Sequence, residues 1–306
     1  MRRLLPLLAC TLLWLTTTAS AEETRDYQVE LPNSPENVPR FTPPPESEIP
    51  DDAFGEMVRL GRDLFIDTQQ LRGKHVGNGL NCVNCHLDAG RRADSAPLWA
   101  AYTMYPAYRA KNDRVNTMED RIQGCFRYSM NGSPPASGSR ELTALITYHY
   151  WMSTGAPTGV ALKGRGYPKL AAPAQAPDIT RGREVYAAQC AICHAEDGTG
   201  RKAEGDYVFP PLWGADSFNW GAGMHRVNTA AGFIHANMPL GKPYSLSEQE
   251  AWDVAAYINS HERPQDPRNE GDPQATDETY HAHQCYYGEE IDGQRLGSRS
   301  YPNPLE

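Results

Sequence analysis

Two short motifs constrain this chain more than any other feature. Residues 82–86 (Cys-Val-Asn-Cys-His) and 190–194 (Cys-Ala-Ile-Cys-His) both have the pattern C-x-x-C-H. This pattern is typical of c-type haem attachment, in which both thiols form thioether bonds to the haem and the adjacent histidine binds the iron. The sequence therefore predicts two covalently bound haem c groups. The predicted attachment residues are Cys82, Cys85, His86, Cys190, Cys193 and His194.

The sequence around the two motifs repeats as well. Residues 61–65 (GRDLF) precede the first motif and residues 182–186 (GREVY) precede the second, each in a stretch with helical spacing of apolar residues. The glycine that opens each stretch permits close approach to another helix. A second helix is predicted to close each copy, at about 139–153 and at about 246–260, where residues 247–250 have the capping-box pattern.

The order of helix, C-x-x-C-H, loop, distal ligand and closing helix resembles that of a cytochrome c domain. The resemblance implies an all-α fold of two cytochrome c domains in tandem, with long irregular loops. The Pro/Ala-rich stretch LAAPAQAPD reads as the linker between them. The predicted segments are a Pro-rich N-terminal stretch at 22–50, the first domain at 51–169, the linker at 170–178, the second domain at 179–263 and a polar C-terminal tail at 264–306.

Residues 1–21 have the pattern of a secretory signal peptide. Two arginines precede an apolar run, and the small residues from Ala19 to Ala21 provide a cleavage site. The run is too short for an ordinary membrane span. We therefore expect export to the periplasm without stable membrane insertion. Lipid attachment at Cys10 is an alternative, which the apolar sequence continuing past that residue disfavours.

The charge balance limits the partners of the chain. Its 38 acidic residues outnumber its 29 Lys and Arg, which gives a formal net charge of −9. An acidic surface repels nucleic acid and anionic membranes, so neither is an expected partner. A binding site for an anion would require a local cluster of basic residues.

Methionines supply the candidates for the distal ligand of the second haem. Residues 237–241 (Asn-Met-Pro-Leu-Gly) resemble the Met-Pro-x-Gly loop of cytochromes c, in which the proline stiffens the chain beside the ligand. Met238 is therefore preferred over Met224, which no proline follows. His225 and His235 are weaker candidates, because a single histidine is more often a core or surface residue. A His/Met pair raises the haem potential.

Two sulfur atoms compete at the first haem, both in the segment RIQGCFRYSMNG at 121–132. Met130 lies 44 residues after the histidine of its motif, as Met238 does after the second motif, so the internal repeat favours Met130. Cys125 has no counterpart in the second domain. It either pairs with Cys285 in a disulfide or binds the iron as a thiolate, which would lower the haem potential.

The same segment, in a chain with two haem motifs, resembles the thiosulfate dehydrogenase family, whose members have a cysteine in an R-I-x-x-C-x-x-x-S-M-N-G setting. The resemblance covers both haem domains. It implies that Cys125 ligates the first haem at the active site and that Ser129 is an active-site residue. Some relatives have lysine before the second-domain methionine, whereas this chain has Asn237. The implied iron ligands are His86, Cys125, His194 and Met238.

The resemblance implies the oxidation of two thiosulfate ions to tetrathionate at the first haem. Electrons would leave through the second haem to an external acceptor such as another cytochrome c, and tetrathionate reduction is the reverse reaction. The chemistry suits this interpretation. Two haems can hold one electron each, and a nucleophilic sulfur can bond transiently to the outer sulfur of the substrate, as in thiol–disulfide exchange.

A basic cluster lies beside Cys125 in the sequence, as an anionic substrate requires. Arg109 and Arg114 are the candidates for binding the substrate through charge-assisted hydrogen bonds. Arg121, next to acidic residues, is open to a structural role. The basic residues of the cluster are Arg109, Lys111, Arg114, Arg121 and Arg127.

Two other functions are compatible with the motifs. A non-catalytic diheme electron carrier or oxidase subunit would use Met130 at the first haem. A diheme enzyme such as a peroxidase would need an open site at one iron. Residues 281–285 (His-Ala-His-Gln-Cys) suggest a metal site, but an ordinary polar tail is the favoured interpretation there.

Overall fold

Two pairs of packed helices carry the fold. In the computed structural model, residues 40–110, 112–299, 301 and 305 are described. The signal-peptide and lipid-attachment predictions, and most of the Pro-rich segment, lie outside these residues. Within them, no helix has the length and apolar character needed to cross a membrane.

In the first half, α1 (Ala53–Ile66) packs against α3 (Arg140–Met152). The Asp52 carboxylate caps α1 by accepting a hydrogen bond from the Gly55 amide at 2.9 Å. Gly61 is where the two backbones meet, because a Cβ added there would collide with the Ala144 carbonyl oxygen. The predicted close approach at this glycine is confirmed.

The second half repeats this pairing. Helix α4 (Ile179–Gln189) packs against α7 (Glu248–Asn259), and Gly182 meets the Asp253 carbonyl as Gly61 meets Ala144. The capping box of α7 is formed by Ser247 and Glu250. Both closing helices therefore lie where the sequence predicts them, and the all-α class is confirmed.

The remaining elements are short. The helices are α2 (Met118–Gly124), α5 (Ala191–His194), α6 (Val227–Asn237) and α8 (Pro273–Tyr280). A π-helical turn at Cys125–Ser129 continues α2. Three antiparallel hairpins pair β1 (Ala107–Arg109) with β2 (Arg114–Asn116), β3 (Arg201–Ala203) with β4 (Asp206–Phe209), and β5 (Glu290–Ile291) with β6 (Gln294–Arg295).

Each half has its own apolar core, and side chains join the two. Met224 packs against both cores. The ring of Tyr167 contacts the ring of Phe233 edge-on, with 5.4 Å between centroids. The Asn78 amide nitrogen donates hydrogen bonds to the carbonyls of Ser129 and Ser217, at 2.7 and 3.1 Å. The halves are therefore tied together by apolar packing and by a buried amide.

The segment after α7 is folded onto the second half. Trp220, Tyr287 and Leu296 form a small buried cluster between this segment and the loop before α6. The Val227 amide donates to the Gln284 carbonyl at 3.0 Å. The described part of this segment is thus folded, although its composition is polar.

Candidate haem and sulfur site

The histidines of both motifs are held in the same orientation. His86 Nδ1 lies 2.7 Å from the Ala96 carbonyl oxygen, and His194 Nδ1 lies 2.9 Å from that of Pro210. A carbonyl only accepts, so each Nδ1 carries the proton and each Nε2 keeps its lone pair. This arrangement is the one that orients a metal-ligating histidine. Both histidines are therefore prepared to bind an iron through Nε2.

The motif cysteines are half-buried thiols. Burial raises the pKa of Cys82, Cys85 and Cys190 to about 12. The six cysteines of the described residues are all free, including Cys125 and Cys285, so the disulfide alternative is not formed. Two thiols beside an oriented histidine in each half fit covalent attachment of haem c.

A cavity of about 210 Å³ adjoins the second motif. Cys190, Cys193 and His194 line it, and so do the side chains of Met224 and Met238 from the opposite elements. Most of the remaining lining is apolar, as a haem pocket requires. Both methionines that the sequence nominates are therefore at this site.

The same cavity is bordered by the first motif. Leu80, Val83, Cys85 and Leu87 from the first half line it together with the second motif. The attachment loop of one predicted haem is thus a wall of the other predicted haem's pocket.

Cys125 lies at the start of the π-helical turn, directly after α2. The side chains of Thr117 and Asp120 form a reciprocal capping box at the N-terminus of α2. Residues four apart on a helix face each other, and Arg121 Nη1 contacts Cys125 Sγ at 2.8 Å. Short π-helical segments are frequent at functional sites.

The contact between Arg121 and Cys125 is half-buried. Electrostatic interaction with Cys125 is the main cause that raises the pKa of Arg121 above its usual value, against the opposing effect of burial. Burial is the main cause that raises the pKa of Cys82 and Cys85, and electrostatic interaction with Cys125 adds to the increase. The Cys125 sulfur therefore lies close to the first attachment motif.

Aromatic side chains surround this contact. Tyr167 is half-buried, and its hydroxyl donates to the Cys85 carbonyl at 3.3 Å. Burial raises the pKa of Tyr167 well above its usual value, and Cys85, Arg121 and Cys125 act on it electrostatically. Burial lowers the pKa of His149 to about 4, so this ring is neutral at neutral pH. The guanidinium of Arg121 is thus the permanent positive charge beside the sulfur.

Met130 and Met238 are placed differently, although each follows the end of its helix. Met130 is 2% exposed and packs in the first core. Met238 lies on the cavity beside the second motif. Met130 thus belongs to the packing of the first core, whereas Met238 borders the space predicted for the second haem.

The other predicted site residues differ in exposure and in their partners. Ser129 is half-buried, and its carbonyl accepts from Asn78. Arg109 and Arg114 face each other across the β1–β2 hairpin, and both are exposed. Arg114 forms an ion pair with Asp120 at 2.6 Å, and Arg109 lies 6.0 Å from the ring centre of Tyr105. Lys111 lies outside the described residues.

Two histidines considered at the second haem have other neighbours. His225 is buried, and its Nε2 lies 2.7 Å from Nε2 of His283 in the C-terminal segment. The ring of His235 packs edge-on against Tyr244, with centroids 5.3 Å apart. Sequence reasoning underestimated Arg121, whose four-residue spacing from Cys125 was the available signal.

Comparison with known proteins supports this reading of the two halves. Residues 69–158 match the family model described as SoxA/TsdA, cytochrome c domain. Residues 177–258 match the model described as cytochrome c oxidase, cbb3-type, subunit III. The first match contains Cys125, and the second contains both candidate methionines of the second half. Each half is therefore a cytochrome c domain.

Whole-chain relatives decide the family. The chain is 59% identical over 260 residues to a thiosulfate dehydrogenase of Stutzerimonas stutzeri (strain A1501), covering 84% of this chain and 85% of that protein. It is 56% identical over 266 residues to a thiosulfate dehydrogenase of Thiomonas intermedia (strain K12), covering 87% and 85%. The chain belongs to the thiosulfate dehydrogenase family. Its cytochrome c domains make it a haem c protein.

A solved member of the thiosulfate dehydrogenase family has the same architecture. The thiosulfate dehydrogenase (TsdBA) of Marichromatium purpuratum, in its as-isolated form, superposes with a TM-score of 0.83 at 54% identity. The match covers 86% of this chain. This chain spans 58% of the length of that solved chain.

Proposed function

We propose that this chain oxidises thiosulfate, joining two ions into tetrathionate with the release of two electrons. The observation that carries the proposal is the half-buried contact of the Arg121 guanidinium with the Cys125 sulfur, at 2.8 Å and beside the first haem motif. A thiolate that is stabilised by a permanent charge and lies beside a redox centre is suited to sulfur chemistry.

The proposal includes two covalently bound haem c groups, one in each domain. Cys82, Cys85 and His86 would hold the first, with Cys125 as its second iron ligand. Cys190, Cys193 and His194 would hold the second, with Met238 as its second ligand. When bound, the haems supply one-electron redox capacity, so that two of them accept the two electrons of one turnover.

Cys125 is the proposed reacting sulfur. Its thiolate and the outer sulfur of one thiosulfate join in a sulfur–sulfur bond as two electrons leave. A second thiosulfate then attacks that outer sulfur, which releases tetrathionate and returns Cys125 as the thiolate. Arg121 stabilises the thiolate at the start and the end of this cycle, because its charge lies against the sulfur.

Basic side chains would hold the anionic substrate in an otherwise acidic protein. Arg109 and Arg114 lie on an exposed hairpin, where Arg114 already has Asp120 as a partner. We assign these two a role in attracting thiosulfate, since exposed charges act mainly on encounter. Ser129, in the same turn as Cys125, is the proposed hydroxyl partner of the bound anion.

The shared wall between the two haem sites supports a short electron route. Cys85 and its neighbours border the cavity of the second motif. Electrons would therefore pass from the first domain to the second, and from there to an external acceptor such as another cytochrome c. The signal-like pattern of the N-terminal sequence supports a periplasmic location for this proposed reaction.

The test is steady-state thiosulfate oxidation with an artificial electron acceptor, with tetrathionate measured as product. Wild type is compared with Cys125→Ala and with Met130→Leu, which preserves core volume while removing the thioether. We expect tetrathionate from wild type and Met130→Leu, and loss of at least about a thousand-fold in kcat for Cys125→Ala. Full activity in Cys125→Ala with loss in Met130→Leu would instead support an electron carrier with two methionine-ligated haems.

A further inference from the structure

Four side chains with metal-binding atoms converge where the C-terminal segment crosses the second domain. They are His225, His281, His283 and Cys285, and their ligand atoms all lie within 4.8 Å of one another. His225 precedes α6, whereas the other three follow α8. The cluster thus joins two segments that are more than 50 residues apart, and the reaction proposed above uses none of its members.

The spacing of the ligand atoms is close to that of a tetrahedral metal centre. Cys285 Sγ lies 3.6 Å from Nδ1 of His281, and the Nε2 atoms of His225 and His283 lie 2.7 Å apart. A tetrahedral zinc ion, with Zn–N near 2.0 Å and Zn–S near 2.3 Å, sets neighbouring ligand atoms roughly 3.3–3.6 Å apart. The cysteine–histidine pair has this separation, and the two Nε2 atoms need to part by only about half an ångström.

Outer hydrogen bonds orient two of the rings toward the centre. His225 Nδ1 bonds to the Ala222 carbonyl, which leaves Nε2 directed at the cluster. His281 Nε2 bonds to the Asp266 carboxylate at 3.0 Å, which leaves Nδ1 directed at Cys285. Arg268 holds that carboxylate through two hydrogen bonds, at 2.9 and 2.6 Å. A carboxylate or carbonyl behind each ligand is the usual support of metal-binding histidines.

The two innermost rings of the cluster are shielded from water. His225 and His281 are 1% and 2% exposed, and Trp220 and Tyr287 pack against these two rings. His283 and Cys285 are half-buried beside them. One cation could bind all four ligand atoms at once.

We propose that His225, His281, His283 and Cys285 form a structural zinc site that fastens the C-terminal segment to the second cytochrome domain. Nitrogen and thiolate ligands in tetrahedral arrangement select zinc over the oxygen-seeking cations. The site is closed, since four protein ligands leave no open position. It also fixes the loop that carries Met224, a residue of the second haem's cavity, because His225 is the next residue.

Metal content is the first test. Untagged holoprotein, purified without added chelator, is analysed for zinc against haem iron by mass spectrometry. The variants are Cys285→Ala and His283→Gln, with His75→Gln as a matched control in the first domain. We expect one zinc per chain in wild type and control and loss of that zinc in both site variants. Wild type with no zinc, or with another metal in its place, overturns the proposal.

Cobalt substitution tests the ligands in the wild-type protein itself. After zinc removal with a chelator, added Co²⁺ is expected to show a thiolate-to-cobalt charge-transfer band and tetrahedral ligand-field bands, measured as a difference against the haem spectrum. The same titration of Cys285→Ala is expected to lack the charge-transfer band. Failure of wild type to show the band, or its persistence in Cys285→Ala, contradicts the assignment of Cys285, even where a variant folds poorly.

Discussion

The two cytochrome domains differ most at the helix that ends 44 residues after the motif histidine. In the second domain, the Met238 amide donates to the Ile234 carbonyl four residues back, at 2.8 Å. In the first domain, the Met130 amide donates to the Cys125 carbonyl five residues back, at 2.9 Å. The count along the chain is equal, but the first domain ends its helix with a wider turn.

This difference shows how a repeat can keep its spacing and change its chemistry. The wider π-helical turn leaves Met130 in the core and Cys125 beside the attachment motif. By the same count, Phe233 of the second domain occupies the place of Cys125 and lines the cavity as an apolar wall. Under the proposed function, one domain is reactive while the other keeps the arrangement of an electron carrier.

Removal of the Arg121 charge beside Cys125 should have the largest effect among the substitutions that test this difference between the domains. We expect Arg121→Gln to lower kcat/KM for thiosulfate on the order of a hundred-fold, because the proposed thiolate loses its positively charged partner. Arg121→Lys should restore part of the activity. Steady-state kinetics with Arg140→Gln, an exposed arginine at the start of α3, provides the control. Equal rates in wild type and Arg121→Gln would remove Arg121 from the mechanism.

Replacing methionines of the second domain should change the potential of its haem rather than the chemistry of the reaction. Met238→Leu is expected to lower the potential of one haem on the order of 100 mV, within the roughly 0.8 V range that axial ligands set. Met224→Leu should shift it far less. Spectroelectrochemical titration measures both, and a reversal of the two effects would make Met224 the ligand.

The shared helix pairing should respond alike in both domains. Gly61→Ala and Gly182→Ala each force a Cβ against a carbonyl oxygen of the closing helix. We expect each to cost about 1–3 kcal/mol of unfolding free energy. Gly124→Ala, where an added Cβ meets nothing within 4 Å, should be neutral or slightly stabilising. Calorimetry of the three holoproteins compares them, and a neutral Gly61→Ala or Gly182→Ala would contradict the packing.

A pH-dependent effect on stability should be confined to the second domain, where Asp253 stands in the position that Ala144 has in the first. Burial would raise the pKa of Asp253, but hydrogen bonds from Arg181, the Asp178 amide and Gln249 bring it below its usual 3.8. Such a group stabilises the fold above the unfolded-state pKa, and the stabilisation is lost as the pH falls through the folded-state value.

Asp253→Asn is therefore expected to lower the unfolding free energy by about 1–3 kcal/mol at neutral pH. The gap to wild type should stay constant from neutral pH down to about pH 5 and shrink in more acidic solution. Denaturant titrations at several pH values measure the gap. A gap that widens in acid would contradict the role of the Arg181–Asp253 pair.

The architecture could be predicted from the sequence because the signals that specify it are local. The C-x-x-C-H motifs, the glycine before each of them and the capping box of α7 act within a few residues, and each is where it was predicted. The π-helical turn is not local. It depends on tertiary bonds such as that from the Gly77 amide to the Met130 carbonyl, at 3.0 Å. Counting residues from the motif therefore favoured Met130 as the distal ligand of the first haem.

The sequence pattern also could not predict that His225 lies close to the C-terminal histidines. His281, His283 and Cys285 suggest a site by their spacing, but three ligands in a polar segment are a weak signal. The fourth comes from a loop before α6, which only the packing of Trp220 and Tyr287 brings near. Long-range packing, rather than motif chemistry, was the missing information.

Ligand-field spectroscopy of the oxidised holoprotein tests most directly whether Cys125 replaced Met130 at the first haem. Electron paramagnetic resonance and near-infrared circular dichroism distinguish thiolate from thioether ligation. Wild type and Met130→Leu should both show one thiolate-ligated and one thioether-ligated haem, and Cys125→Ala should lose the thiolate signal alone. A thiolate signal that persists in Cys125→Ala, or a thioether signal that disappears in Met130→Leu, would contradict the account.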